Sequence, residues 1–127
     1  MRSRNQKGQA LVETALVLPV FLAMVLGIFG FGRLFNAQLV ITNACREGAR
    51  VGALGRSDTK IHEAVEKYLA GAALTDPAAQ VVIQRTTDTD GTDVKVDLSY
   101  PFKSGVALPG IPDPIYLKTS AVMRVEQ

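Results

Sequence analysis

The hydrophobic pattern changes character three times along the chain. From Thr14 to Gly32 runs an uncharged segment, TALVLPVFLAMVLGIFGFG, and extending it back to Leu11 gives 22 residues broken only by Glu13. At about 1.5 Å per residue such a helix is about 33 Å long, close to the ~30 Å of a bilayer's hydrocarbon core. The segment is apolar on every side, as a lipid-facing helix must be, and it predicts a transmembrane helix. Pro19 inside it removes one backbone hydrogen bond and predicts a kink or local unwinding, which membrane helices tolerate. From Arg33 to about Leu54 the period stays helical but turns amphipathic. Leu34, Leu39, Ile41, Ala44, Cys45, Ala49 and Val51 mix there with Asn36, Gln38, Asn43, Arg46, Glu47 and Arg50. One long helix is therefore predicted from about Ala10 to Leu54.

Gly55-Arg56-Ser57-Asp58 breaks that helix, and Ser57 or Asp58 can cap a second one. Ile61, Ala64, Val65, Tyr68, Leu69 and Ala72 then recur at helical spacing, and Thr75-Asp76-Pro77 is the predicted stop. Afterwards the period changes to two. Val81 and Ile83 mark a first strand. Val94, Val96, Leu98 and Tyr100 alternate with Lys95, Asp97 and Ser99 in a second, and Asp88-Thr89-Asp90-Gly91 reads as the hairpin turn between them. Ser104 to Pro114, with three prolines and two glycines, reads as a loop. Ile115, Leu117, Thr119, Ala121, Met123 and Val125 form a last alternating strand. The predicted class is α+β: a long N-terminal transmembrane helix continuing into a small head with a second helix and an antiparallel sheet of about three strands.

Composition narrows the functions. The 127 residues, 47% hydrophobic and 20% charged, make one domain's worth of chain. The net charge of +2 is uneven: without Arg2, Arg4 and Lys7 the remainder carries −1. A nucleic-acid binder should carry its basic excess on its folded face, so nucleic acid is not an expected partner. Single residues of cysteine (Cys45) and histidine (His62) leave no internal disulfide framework and little metal or triad chemistry. His62, beside Glu63 and four residues before Glu66, reads as part of a solvated helix face. The carboxylates of the Asp88–Asp93 turn suggest a calcium loop, but the terminal glutamate is missing and Thr86 stands where the first ligand should be. No cofactor, metal or catalytic residue is expected, and the chain is not expected to be an enzyme.

The N-terminal run is too long for a cleaved secretory signal, and Arg33-Leu34-Phe35-Asn36 follows it where small residues should stand. A lipoprotein signal would place a cysteine directly after the run, whereas Cys45 lies thirteen residues past Gly32. Within about twenty residues of either end the basic count ties, Arg2, Arg4 and Lys7 against Arg33, Arg46 and Arg50; within the nearest dozen it is three against one, which favours a cytoplasmic N-terminus and an exported body. Glu13 stands out, because a carboxylate in an apolar helix costs on the order of a few kcal/mol unless partnered or placed near an end. As a helix-start acid at the headgroup level it would be favoured by the macrodipole.

In Lys7-Gly8-Gln9-Ala10-Leu11-Val12-Glu13 a glycine closes a short basic leader, a glutamate follows as the fifth residue, and an apolar helix begins. This resembles the processing signal of type IV prepilins. The wider pattern is similar to that of TadE-like proteins of the tight-adherence (Flp, type IVc) pilus system. Its matching features are Gly8-Gln9-Ala10, Val12-Glu13, Leu18-Pro19, Phe31-Gly32-Arg33, Ala44 and Arg46-Glu47-Gly48-Ala49-Arg50. Weaker likeness recurs at Tyr100-Pro101-Phe102 and from Ser120 to Glu126. Thr14 departs from the aromatic residue of the small major pilins, and the chain continues some 75 residues past its first helix. Both points favour a minor pilin or pseudopilin.

The resemblance implies a leader over residues 1–8, a transmembrane helix over 9–32, and an exported pilin-like head over 33–127, with 33–54 continuing the first helix. It implies cutting by a prepilin peptidase between Gly8 and Gln9, and an inner-membrane precursor with its N-terminus cytoplasmic, recruited later into an extracellular pilus. Its implied partners are that peptidase, other pilins, platform proteins with their assembly ATPase, and membrane lipid. Glycine lets an extended backbone enter a protease cleft. Cutting there frees an amine at Gln9, one turn from Glu13 on the same face, so Glu13 can pair with it or with the next subunit's. Pro19, Arg46, Glu47 and Arg50 are expected packing or partner positions. Arg46, Glu47 and Arg50 set a carboxylate between cations at helical spacing, and Ala23 with Gly27 forms a small-residue pair that permits close helix contact. The rival expectation is an uncleaved single-pass anchor whose exported domain binds a partner.

Overall fold

The computed structural model describes residues 3–103, 105 and 112–125, with side chains from Gly8 onward. Its elements are α1 (Ser3–Ala53), α2 (Asp58–Gly71), β1 (Gln80–Asp88), β2 (Gly91–Phe102) and β3 (Ile115–Arg124). The chain divides into two compact units, residues 1–33 and residues 34–127, and α1 supplies residues to both. The α+β architecture expected from the sequence is the one observed.

In the first unit α1 is helical from Ser3, several residues before the expected start at Ala10, so Gly8 lies in helix and not in extended backbone. It also passes Pro19 without interruption, and the expected local unwinding is absent there. The proline withdraws the N–H that would meet the Ala15 carbonyl, a cost confined to one bond. Thr14 is satisfied locally, its hydroxyl donating to the Ala10 carbonyl at 2.8 Å. From Gly8 to Arg33 no residue is buried.

The second unit has a single core. The sheet order is β1-β2-β3 and both pairings are antiparallel. Central β2 alternates from Val94 to Tyr100, burying Val94, Val96, Leu98 and Tyr100, and ends with Pro101 and Phe102 both buried. The registers Ile83↔Val96 and Val96↔Ala121 carry the inward face across all three strands. Against that face pack Ile61, Val65 and Leu69 of α2 and a stripe of α1: Ala37, Ile41, Ala44, Cys45 and Ala49. The stripe is made of small residues, and two glycines take it to its limit. A Cβ on Gly48 would stand 2.6 Å from Val65 Cγ2, and one on Gly52 would stand 2.7 Å from Val94 Cγ1. Both distances are far inside van der Waals contact, so the approach of α1 to α2 and to β2 requires glycine at these positions.

The ends of elements follow local chemistry. Gly55, at φ +70, closes α1 in the left-handed conformation that glycine adopts freely, and its N–H reaches the Gly52 carbonyl at 3.0 Å. Ser57 occupies the N-cap of α2, but its hydroxyl makes no capping bond; its carbonyl accepts from the Lys60 and Ile61 N–H groups. Asp58 does not cap either: its carboxylate takes Arg85 Nε and Nη2 at 3.0 and 2.7 Å, while Arg85 Nη2 also donates to the Arg56 carbonyl. That arginine ties β1 to the turn between the helices.

The second helix ends at Gly71, earlier than the predicted stop at Thr75-Asp76-Pro77. Ala73 at φ +57 donates to the Ala70 carbonyl, and the Leu74 N–H reaches back to Leu69 at 2.9 Å. This pair of bonds is a Schellman closure, and Leu74 packs on the core beyond it. The hairpin turn stands as read: Asp88 pairs with Gly91 around Thr89-Asp90, with Gly91 at φ +141. Most of the expected loop from Ser104 to Pro114, and the closing Glu126, lie outside the described residues.

Candidate functional site

The residues singled out in the sequence fall into two groups. Gly8, Gln9, Glu13 and Pro19 belong to the first unit and are exposed on α1. Gln9 and Glu13 are four residues apart, so helical geometry stacks them on one face. Nothing lies within 4 Å of where a Cβ on Gly8 would stand, nor of Gly27, Gly30 or Gly32. The small-residue pair Ala23 and Gly27 therefore makes no close contact among the described residues. The glycines that do are Gly48 and Gly52, with the same four-residue spacing, in the second unit.

Within this unit the Arg46-Glu47-Gly48-Ala49-Arg50 run is resolved by burial. Gly48 and Ala49 face the core, whereas Arg46 and Arg50 are exposed and Glu47 is half-buried. The expected placement of Glu47 between two cations holds on one side only. Arg50 embraces it through two bonds, Nε to Oε2 at 2.9 Å and Nη2 to Oε1 at 2.6 Å, and Arg46 takes no part. The hydrogen bonds from Arg50 hold the Glu47 carboxyl below its ordinary range and raise the guanidinium above its own.

Cys45 is fully buried, and its thiol donates to the Val96 carbonyl at 2.8 Å, tying α1 to the central strand. Burial pushes the thiol's pKa up, with the Ala121 backbone opposing and Asp97 adding to the rise. A protonated, enclosed thiol is a packing group and a poor nucleophile. Thr42 and Thr119 continue the same seam, their hydroxyls 3.5 Å apart. Helical spacing groups Cys45 with the apolar positions of α1 and does not disclose this bond.

Among the described residues no three His, Cys, Asp or Glu side chains gather as a metal site requires. In the Asp88–Asp93 turn, Asp93 is held by Arg124 Nε at 3.1 Å, and the hydroxyls of Thr87 and Thr92 lie 3.2 Å apart. His62 is half-buried on α2.

What distinguishes the molecule is thus α1 itself: one helix long and apolar enough to cross a membrane, whose later residues are built into a core. No curated protein and no solved structure matches the chain. Residues 8–50, opening on Gly8 and closing on Arg50, match the family model of TadE-like proteins, and over this segment the chain is similar to that family.

Proposed function

We propose that the protein is a minor pilin or pseudopilin of a Tad (Flp, type IVc) pilus. It is inserted with its N-terminus in the cytoplasm and its head exported, and is cut by a prepilin peptidase between Gly8 and Gln9. The observation that carries this reading is the register of the family match. It begins at Gly8, with Glu13 five residues on and an unburied apolar helix behind it. The function is mechanical and calls for no catalytic group: the matched family is a pilus-associated one and not an enzyme family.

The chemistry is economical. Gly8 is a poor helix former, about 1 kcal/mol worse than alanine, so opening the helix locally to reach a protease cleft costs little there. Removing residues 1–8 takes away Arg2, Arg4 and Lys7 and exposes an amine at Gln9. Glu13, exposed in an otherwise apolar stretch, then has a cationic partner available one helical turn away or on a neighbouring subunit. Pairing across subunits sets the register in which such helices stack. Other pilins, the platform proteins and their ATPase are the partners this role requires.

The test is incorporation. Pili sheared from cells making the chain should contain it at a small fraction of the major subunit, and Glu13→Ala should remove it from pili while Gly8 processing continues. Absence from pili under conditions where the major subunit assembles would overturn the proposal. Full incorporation of the Glu13→Ala chain would overturn the pairing role.

A further inference from the structure

We infer that the free edge of β3 takes up one further strand: an extended segment of a partner protein, apolar on its inward face and acidic on its outward one. The docking surface lies wholly within the second unit and does not depend on the membrane-spanning reading.

β3 is an outer strand of the sheet, with β2 on one side only. The Val125 N–H donates to the Thr92 carbonyl at 2.7 Å, in line with the register Asp93↔Arg124. Antiparallel bonding alternates along a strand, so the odd-numbered residues of β3 bond to β2. The N–H and C=O groups of Tyr116, Lys118, Ser120 and Val122 therefore point away from the sheet. Among the described residues no backbone hydrogen bond meets them. Strand addition uses such a row of groups. The opposite edge is guarded. Arg85 of β1, on the inward face with Val81 and Ile83, is tied to Asp58 and to the Arg56 carbonyl, and an inward-pointing charge blunts an edge.

The helix layer leaves room beneath it. Two helices packed about 8–10 Å apart cover more width than three strands about 4.8 Å apart, so a helix overhangs the sheet. At the β3 edge that helix is α1: the Thr42 hydroxyl lies 3.5 Å from that of Thr119, while α2 packs on another side of α1, at Gly48. Phe35, Leu39, Thr42 and Arg46 follow one another at intervals of four, three and four residues and share this flank. Phe35 and Leu39 are each 65% exposed. Ile115, Thr119 and Ala121, on the inward face of β3, are only half-buried. An added strand covers both sets with its own inward side chains.

Charge selects the occupant. β3 carries Lys118 and Arg124 and no acid. Arg124 is held by Asp93, but Lys118 and Arg46 are exposed and have no ion pair among the described residues. Opposite charges across a strand pair stabilise it and like charges oppose it, so the incoming strand is acidic on its outward face. A second copy does not supply it: β3 against β3 adds cations to cations, and the edge of β1 is guarded.

Hydrogen exchange of the full chain in detergent micelles tests this, with a short peptide of alternating valine and glutamate as probe. Its counterparts carry lysine for glutamate, or the same residues in non-alternating order. The acidic alternating peptide should slow exchange severalfold at the amides of 118, 120 and 122. Those of 117, 119 and 121, already bonded to β2, should not change. Ser120→Pro removes one edge N–H that the fold does not use, and should abolish this protection without moving the denaturant midpoint. Glutamate at both Lys118 and Arg46, on exposed sites, should remove or reverse the preference for the acidic peptide. The inference fails if the three peptides act alike, if protection does not alternate, or if the Ser120→Pro chain is protected as well. It also fails if the even-numbered amides are as protected as the odd ones in the free chain, since the edge would then be covered already.

Discussion

The two parts of α1 are made of similar residues and do opposite things with them. Between Gly8 and Arg33 leucines, valines and phenylalanines face outward on all sides and none is buried. Between Leu34 and Ala53 the large side chains are fewer, and the buried face is a run of alanine, glycine and cysteine with Ile41 alone as a bulky member. The lesson is that hydrophobicity by itself does not build a core. The first stretch has the larger apolar surface and no partner among the described residues. The second has less, but its small residues let a sheet and another helix come close enough to exclude water.

That contrast can be broken by making the same change in both places, with the denaturant midpoint at which Cys45 becomes reactive to a thiol reagent as the readout. Cys45 is buried and its thiol is held protonated, so labelling reports opening of the head. Ile41→Ala should have the largest effect, lowering head stability by about 2–5 kcal/mol, since it leaves a cavity at a fully enclosed site. Leu16→Ala, at a residue 72% exposed, should leave the midpoint where it was. An equal loss from both would show that the two stretches are not energetically distinct.

Glycine sharpens the comparison because its sign should reverse. Gly48→Ala gains about 1 kcal/mol of helix propensity but forces a Cβ against Val65, and overpacking of this kind costs about 1–3 kcal/mol. The net is a lower midpoint, and Gly52→Ala should behave likewise against Val94. Gly27→Ala meets open space and should leave the head unchanged while firming the helix. The smallest effect is expected at Ala73, which holds φ +57 at the end of α2. Left-handed backbone costs an L-residue about 1–2 kcal/mol, and glycine gives back about 0.5–1 in chain entropy, so Ala73→Gly should stabilise the head by about 0.5–1 kcal/mol and raise the midpoint accordingly.

These cases also mark what sequence could disclose. Period and length revealed both helices, the hairpin at Asp88–Gly91 and the alternating strands, because burial on one face leaves its mark residue by residue. The long apolar run disclosed a helix long and apolar enough to cross a membrane. What escaped was set by contacts between distant residues. Gly48 and Gly52 look like helix-weakening residues until Val65 and Val94 are seen against them.

The end of α2 was misplaced because Thr75-Asp76-Pro77 is a strong local stop. The actual closure at Ala73 depends on Leu74 reaching the core. By position Asp58 is one of two candidate caps beside Ser57, yet Arg85, 27 residues away, claims its carboxylate. At the candidate site the motif residues were legible as a set, but their division into core (Gly48, Ala49) and surface (Arg46, Arg50) needed the packed structure.

The central claim is that Gly8 marks the end of a removable leader and that the apolar helix behind it is meant for assembly among its kind. The most direct test is the intact mass, with N-terminal sequencing, of the protein recovered from cells that carry a prepilin peptidase. The account predicts a chain beginning at Gln9, and retention of the full leader when Gly8 is replaced by a bulky residue. Recovery of unsubstituted protein that still begins at Met1 would contradict it.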